Sequence, residues 1–277
     1  MTARRICLPA LLGLGFVLVT GCSIGPVIWT DKVTEELRID AQGLNRLELE
    51  THNGEIDWKG RSSGEPVAVI KVTKKAGGLT VQDARDALAA VEVNVKQTAD
   101  GVKEVAWTWR TGPKPSWSAD VQYEVEAPAG LALDAQTHNG SIRIDGADAN
   151  VEAVSHNGSV KVRSSGGRLR VETHNGEINA AYEGGDIFLV THNGEVTADL
   201  SRCKSVAGEI SSYNGGITLA AGKELSADLS CSTYNGHIDC DAPYRVEHAS
   251  RSELAGRLGD GGRKLTVVTH NGNIRVK

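Results

Sequence analysis

Apolar and polar residues alternate along most of the chain, in short runs on either side of a recurring His/Tyr-Asn-Gly phrase. Side chains three and five positions after each asparagine are apolar, as in Ile142 and Ile144. Those four and six positions before it are mostly apolar too, as in Ala135 and Leu133. Alternation with a period of two indicates strands that bury one face. The residue two positions before the asparagine is always Thr or Ser, which predicts a row of inward hydroxyl groups.

The phrase occurs eight times, and its regular spacing predicts the architecture. Its asparagines are Asn53, Asn139, Asn157, Asn175, Asn193, Asn214, Asn235 and Asn271. From Asn139 onward they stand 18, 18, 18, 21, 21 and 36 residues apart. A fixed period of this size is typical of a solenoid whose units bury their apolar faces by stacking. We predict an all-β fold, a parallel β-helix of about 18–21-residue coils, in which the asparagines form a structural hydrogen-bond ladder.

The corner formed by Asn-Gly leaves one alternative open. Both residues tolerate positive φ, which we expect the corner to need. Asn-Gly is also the strongest hairpin signal, so a meander of hairpins is the rival fold. An identical phrase at every corner, with matching register on both sides, favours parallel stacking. The last interval is two periods long and predicts a degenerate coil at roughly 240–262, with 250–262 as an irregular turn.

The segment between Asn53 and Asn139 lacks the phrase and predicts an N-terminal α+β cap. Its pattern indicates a helix over 81–91 and strands over 67–72, 91–95, 102–109 and 121–125. Residues 33–136 would then form the first coil plus this cap, and residues 137–277 the β-helix repeat domain. Solenoids need atypical ends that hide open strand edges.

Two further features concern the ends of the predicted solenoid. Trp107, Trp109 and Trp117 either form an exposed binding patch or seal the N-terminal end. At the C-terminus, Lys277 directly follows the last core valine, so no cap is evident there. Either Arg275 and Lys277 protect that edge, or a partner covers it, which would include a homo-oligomer formed through the C-terminal coil.

The N-terminus indicates export. Residues 1–21 combine Arg4 and Arg5 with an apolar run at 6–19 that is too short to span a membrane, as in a signal peptide. The sequence Val-Thr-Gly-Cys ending at Cys22 resembles the bacterial lipoprotein cleavage box. That resemblance implies lipidation of Cys22, with 22–32 as anchor and linker. An ordinary secretory signal and an uncleaved anchor are the alternatives.

Composition narrows the choice of partners. The net charge is −5 and the charges are scattered, so no nucleic-acid footprint is present. Aromatic residues make up only 4% of the chain, which fits a narrow interior filled by aliphatic side chains. Cys203, Cys231 and Cys240 would remain after processing, either as buried thiols or with two of them in a disulfide. None has a histidine at zinc-ligand spacing, and we expect no cofactor.

The pattern resembles a known bacterial family. The resemblance rests on Leu47–Ile56, Tyr123–Pro128 and the serial Thr-His-Asn-Gly-Glu-Ile coils, and it covers about 33–277. They are similar to exported β-strand-repeat proteins described as candidate adhesins, which have no agreed reaction. The resemblance implies a β-helix with an adhesion or surface-interaction role in the cell envelope, and a protein or polysaccharide partner. Ser23 after the lipidated cysteine implies, by analogy, the outer membrane if the cell has one.

The residue before each asparagine should point outward and form a stripe along one edge. The stripe consists of His52, His138, His156, His174, His192, Tyr213, Tyr234 and His270, with no coil missing between 138 and 234. It could be a docking face for a ligand, or simple ring packing. Adjacent imidazoles could also share a divalent metal, helped by Glu55, Glu177 and Glu195. A metal- or polysaccharide-binding envelope sensor is therefore the alternative function.

An enzyme is the third class. Parallel β-helices often carry polysaccharide lyases or hydrolases, whose sites need clustered carboxylates. Coils this short leave little loop for a cleft, and the acidic residues are spread along the repeats. The sequence therefore favours a non-enzymatic module.

Overall fold

Two large β-sheets enclose one continuous apolar core in the computed structural model, which describes residues 29–242 and 244–277. The signal peptide and the lipidated Cys22 predicted from the sequence lie outside the described residues. The described part has one helix, α1 (Val81–Ala90), and none that is long and apolar enough to cross a membrane. The prediction of a nearly all-β fold with long parallel sheets is confirmed.

Strands are numbered in chain order, and each belongs to one of the two sheets. The eleven-stranded sheet contains β1 (Trp29–Asp40), β3 (Ile56–Arg61), β4 (Val67–Gly78), β7 (Ser118–Pro128), β9 (Ile142–Ala147), β11 (Val160–Ser164), β13 (Ile178–Tyr182), β15 (Val196–Leu200), β17 (Ile217–Ala221), β19 (Ile238–Cys240) and β23 (Ile274–Val276). The twelve-stranded sheet contains β2 (Arg46–Thr51), β5 (Val91–Ala99), β6 (Val102–Trp109), β8 (Ala132–Thr137), β10 (Val151–Ser155), β12 (Arg168–Thr173), β14 (Gly185–Thr191), β16 (Val206–Ser212), β18 (Ala227–Thr233), β20 (Tyr244–Ala249), β21 (Glu253–Leu258) and β22 (Lys264–Thr269).

Equivalent strands of successive repeats pair in parallel. In the twelve-stranded sheet, Val151 is paired with Leu133 on one side and Leu169 on the other. In the eleven-stranded sheet, Val160 is paired in the same way with Ile142 and Ile178. Because the register matches on both sides, each inward apolar side chain stacks on its counterpart in the next repeat. The rival meander of hairpins is wrong for these repeats.

Glycine is required at each corner because the backbones of adjacent repeats come very close there. The corner glycines are absent from the described glycines with positive φ, so our expectation of that conformation was wrong for the glycine of the phrase. A Cβ built on Gly176 would instead lie 1.9 Å from the carbonyl oxygen of Gly158, and one on Gly194 equally close to that of Gly176. No side chain fits there, because the backbones of stacked corners touch.

The C-terminal repeat is inserted between two earlier ones. Strand β22 pairs in parallel with both β16 and β18, and β23 pairs with both β17 and β19. The last residues of the chain are therefore internal, and the open C-terminal edge that we predicted does not exist. A homo-oligomer through that edge loses its structural basis. The outermost strands at this end are β19 and β20.

The degenerate coil predicted at 240–262 is also wrong. Strands β20 and β21 form an antiparallel hairpin, and β21 pairs antiparallel with β18. Side chains of β21 such as Leu254 and Leu258 are buried, whereas β20 is almost entirely exposed. A coil needs two strands that each bury a face, and this segment supplies only one.

At the other end, the cap extends the solenoid before closing it. Strands β6 and β7 pair in parallel with β2 and β3, so the first repeat is internal as well. Strand β4 then pairs antiparallel with β7, and β1 with β4, as the last strand of its sheet. Helix α1 begins with the Thr80 hydroxyl accepting the backbone N–H of Asp83 at 3.0 Å, and it buries Ala84 and Ala87.

Tryptophans and cysteines mainly fill the interior. Trp107, Trp109 and Trp117 are partly buried, contact one another and pack against the core, which matches the sealing role rather than an exposed patch. The three cysteines are free thiols: Cys203 and Cys231 are buried, and Cys240 is partly buried. Burial, with a smaller contribution from Cys240, raises the pKa of Cys231 to about 12. Such a thiol is protonated at neutral pH and unreactive.

Candidate functional site

An unbroken chain of amide hydrogen bonds runs along the corner. Asn157 Nδ2 donates to Asn139 Oδ1 at 2.7 Å, and Asn175 Nδ2 donates to Asn157 Oδ1 at the same distance. The ladder has the order Asn53, Asn139, Asn157, Asn175, Asn193, Asn214, Asn271 and Asn235. At its end Asn53 donates to the carbonyl oxygen of Ala119 at 3.3 Å. Each internal amide both donates and accepts, so the ladder holds neighbouring corners in register.

A second row of hydrogen bonds lies just inside the corner. The Thr173 hydroxyl donates to the carbonyl oxygen of Gly158 at 3.0 Å, and the Thr191 hydroxyl donates to that of Gly176 at 2.9 Å. The row consists of Thr51, Thr137, Ser155, Thr173, Thr191, Ser212, Thr269 and Thr233, all buried. Every hydroxyl of the row has a carbonyl acceptor in the adjacent repeat. This polar row is therefore internally satisfied and rigid.

The outward rings form a single stacked column. Neighbouring ring centroids are 4.6–4.9 Å apart, with interplanar angles of 1–18°. The column has the order His52, His138, His156, His174, His192, Tyr213, His270 and Tyr234. Our prediction of an uninterrupted run from 138 to 234 is wrong, because the inserted C-terminal repeat places His270 between Tyr213 and Tyr234.

A long groove follows this column on the side of the twelve-stranded sheet. Its second wall is the row of outward side chains two positions before each ring. This wall contains Glu50, Gln136, Val154, Glu172, Val190, Ser211, Val268 and Ser232. The groove encloses about 970 Å³ and extends over seven ring-to-ring steps, roughly 34 Å at the spacing of neighbouring strands. We call it the stripe groove.

The second wall was not predicted from the sequence, although the sequence pattern contains a signal for it. On an alternating strand, the residue two positions before an outward ring also points outward. Val154, Val190 and Val268 are the apolar members of this wall, and Val190 is 38% exposed. Valines at outward positions whose other members are Glu, Gln or Ser would have indicated this contact surface.

The charges of the stripe groove are acidic. Its carboxylates are Glu50, Glu172 and Glu253, and no Lys or Arg of the described chain lines it. Glu172 also accepts a hydrogen bond from Arg170, on the same strand outside the groove. These carboxylates therefore repel anions and favour a neutral or basic ligand.

Comparison with known proteins identifies the family. Residues 20–226 match the Toastrack DUF4097 family. The chain belongs to this family. The match confirms the family resemblance drawn from the repeats, and the fold assignment rests on it together with the strand pairing.

Solved structures give weaker likenesses. A candidate cell adhesion protein from Clostridium sporogenes shares 12% identity with this Toastrack chain, at a TM-score of 0.37, over 89% of this chain and 99% of that one. A candidate adhesin from Bacteroides fragilis shares 11% identity, at a TM-score of 0.42, over 89% and 97%. One from Parabacteroides merdae shares 11%, at a TM-score of 0.39, over 89% and 96%. Among curated proteins, none matches the sequence.

The ring geometry of this Toastrack chain does not form a chelating site. An imidazole binds a metal along the lone pair in its own plane, and planes that are nearly parallel do not meet at one ion. Glu55, Glu177 and Glu195 follow the corner onto the other sheet and do not line the stripe groove. In the described part of the chain, no three His, Cys, Asp or Glu side chains are grouped to hold a metal.

Proposed function

We propose that this chain is a non-enzymatic lipoprotein of the cell envelope that binds an extended protein segment in the stripe groove, and so acts in adhesion or surface interaction. The observation that carries the proposal is the groove itself, continuous over eight stacked rings and open to solvent. Its backbone is held by two hydrogen-bond rows, so the surface is already formed before a partner arrives. Preorganisation of this kind lowers the cost of binding.

The chemistry of the walls favours a protein segment. Ring faces are covered by neighbouring rings at 4.6–4.9 Å, so only ring edges, with their polar nitrogens and hydroxyls, face a ligand along the column. Sugars that pack on aromatic rings need open faces, and the column offers these only at its two ends. Val154, Val190 and Val268 add apolar contacts along the opposite wall. An extended segment of about ten residues spans such a groove, and basic side chains would pair with its carboxylates.

The spacing of the acidic residues argues against glycoside hydrolysis. Glu50 and Glu172 are three repeats apart on the same wall, which places them roughly 14 Å apart. Hydrolases that use two carboxylates hold them about 5–9.5 Å apart on either side of the scissile bond. The groove therefore presents single carboxylates and no acid–base pair.

Site-specific photo-cross-linking in cells tests the proposal. A photoreactive amino acid replaces Val154 or Val190 in the full-length chain, within its native envelope. Thr197 is the matched control, because it is exposed on the other sheet, in the strand that follows Val190. We expect discrete protein adducts from both groove positions and none from the control.

The same assay has a loss-of-function arm. Adding Glu172→Lys to the Val190 cross-linking chain reverses one groove charge and should remove most of the adduct, because the groove selects basic segments. Lys161→Glu reverses a charge on the other sheet and should leave the adduct intact. Equal adducts from groove and control positions, or a Glu172→Lys chain that cross-links normally, would refute binding in the stripe groove.

A further inference from the structure

Three of the large apolar side chains that the structure leaves exposed lie together at one end of the molecule. Trp29 is 49% exposed, Leu79 is 50% exposed and Val81 is 43% exposed. Trp29 is paired with Gly78 across the ladder of β1 and β4, and Leu79 is the next residue in the chain. Val81 then begins α1. The antiparallel pairing thus brings two distant parts of the sequence into one apolar patch.

The patch lies at the capped end of the solenoid. Strand β1 is the last strand of the eleven-stranded sheet, and α1 packs against β1 and β4. The stripe groove begins near this end with His52 and extends towards Tyr234 at the opposite one. A surface that held the patch would therefore leave most of the groove projecting away from it.

The chain leading to the patch is short. Cys22 precedes Trp29 by seven residues, which reach about 25 Å when fully extended. An acyl group on Cys22 would hold Trp29 within that distance of the membrane surface. The inference therefore rests on the lipid anchor of the proposed function.

The chemistry of the patch fits the interface of a lipid bilayer. Tryptophan is enriched at the level of lipid headgroups, where its ring is partly apolar and its N–H stays hydrated. We infer that the capped end docks on the bilayer through Trp29, Leu79 and Val81, so that the solenoid stands off the membrane.

Tryptophan quenching by brominated phospholipids tests this orientation. The full-length chain is purified from membranes and reconstituted into vesicles that contain brominated phospholipids. We expect strong quenching, most of which is lost in Trp29→Phe, because Trp58 is fully buried and the three cap tryptophans are partly buried. Equal fractional quenching of the wild type and Trp29→Phe would overturn the inference.

A second pair of variants separates docking from mere proximity. Leu79→Ser combined with Val81→Ser keeps Trp29 but removes the rest of the patch, and should reduce the quenching of Trp29. Val246→Ser is the control, since Val246 is 59% exposed on β20 at the far end. Equal quenching in the wild type, the double variant and Val246→Ser would count against the patch, provided that the three chains unfold at the same temperature.

The anchor and the patch can fail separately. Mass spectrometry of the N-terminal peptide reports acylation of Cys22. With an acylated chain and no quenching of Trp29, the anchor stands and the docking inference is wrong. With no acylation, the anchor is wrong. Flotation of the Cys22→Ser chain with the same vesicles then tests whether the patch binds lipid on its own. Flotation that Leu79→Ser with Val81→Ser abolishes supports the patch, and an absence of flotation overturns it.

Discussion

Three neighbouring positions interlock at every corner of the solenoid. The Thr173 hydroxyl donates to the carbonyl oxygen of Gly158, and that same oxygen lies 1.9 Å from where a Cβ on Gly176 would be. A side chain at Gly176 would therefore displace the acceptor of its neighbour's hydrogen bond. Asn175, which lies between these two residues in the chain, adds the amide hydrogen bond to Asn157. The phrase is conserved within the chain because each residue supports the contact made by the next.

Replacing Gly176 by alanine should be costly. The added Cβ overlaps the backbone of the adjacent repeat, and such overpacking costs about 1–3 kcal/mol or more. Gly216→Ala is the matched control, because its Cβ would contact the carbonyl oxygen of Asn273 at 3.4 Å, an ordinary distance. Urea unfolding of both variants measures the difference. Similar midpoints for the two variants would show that the close approach does not set the requirement for glycine.

The amide ladder gives a second prediction. Asp in place of Asn175 cannot donate to Asn157 Oδ1, so it leaves that acceptor unpaired and adds a carboxylate beside it. We expect a loss of about 1–3 kcal/mol in the free energy of unfolding. Asn179→Asp introduces the same charge on an exposed position of β13 and should change little. An equal loss in both variants would mean that charge alone, rather than the ladder, is responsible.

At this scale the sequence predicts which residues share a column, because an identical phrase must occupy equivalent corners. It does not reveal why glycine is needed, since that depends on the distance between two backbones far apart in the chain. It also cannot place His270 between Tyr213 and Tyr234, because spacing in the sequence reports only the order along the chain.

Among the structural elements, the ring column depends on stacking of flat rings more than on the imidazole group itself. His192 stacks on Tyr213 with the same spacing, 4.9 Å, as His156 has with His174. Tyrosine therefore replaces histidine without breaking the stack. Each aromatic contact of this kind contributes about 0.5–1.5 kcal/mol.

Variants at His174 separate ring packing from imidazole chemistry. His174→Ala removes two stacked contacts, with His156 and His192, and should lower the free energy of unfolding by about 1–3 kcal/mol. His174→Tyr should retain most of the stability, as two tyrosines of the column already do. Thermal and urea unfolding provide the measurement. A tyrosine variant as unstable as the alanine variant would point to a specific role of the imidazole nitrogens.

The buried thiol of β18 predicts a loss of stability in alkali. Burial raises the pKa of Cys231 from 9.0 to about 12, so the fold disfavours the thiolate. The stabilisation that the protonated Cys231 thiol contributes is complete below pH 9.0 and is lost as the pH rises through 12. The free energy of unfolding then falls by up to about 1.4 kcal/mol per pH unit. Cys231→Ala should flatten this slope in urea unfolding at several pH values. Burial also raises the pKa of Tyr182 to about 12, and that contribution should remain in the variant.

For the whole molecule, the period of the repeats predicts parallel stacking but not the order of the stack. At both ends the chain turns back: β6 and β7 extend the stack beyond the first repeat, and β22 and β23 enter between two later ones. Every repeat presents the same backbone edge and the same inward pattern to either neighbour. A local pattern of this kind specifies that repeats stack, while long-range contacts decide which ones meet.

The inserted position of the last repeat makes the C-terminus structurally central. Deletion of residues 264–277 removes the inward side chains Leu265, Val267, Ile274 and Val276, all of them fully buried. It also removes the partner strands of β16 and β17 on one side and of β18 and β19 on the other. Burial of each such side chain is worth about 1.5–3 kcal/mol, so the loss should amount to several kcal/mol.

Hydrogen exchange locates that loss. If β22 and β23 join the two neighbouring repeats, their deletion should expose amides in both 206–221 and 227–240. Leu254→Ala with Leu258→Ala in the terminal hairpin is the control. Its added exchange should stay within 227–258, because β18 and β20 are the partners of β21 among the described strands. A deletion that left 227–240 protected would instead require β18 to pair directly with β16, and the insertion would then be dispensable for the stack.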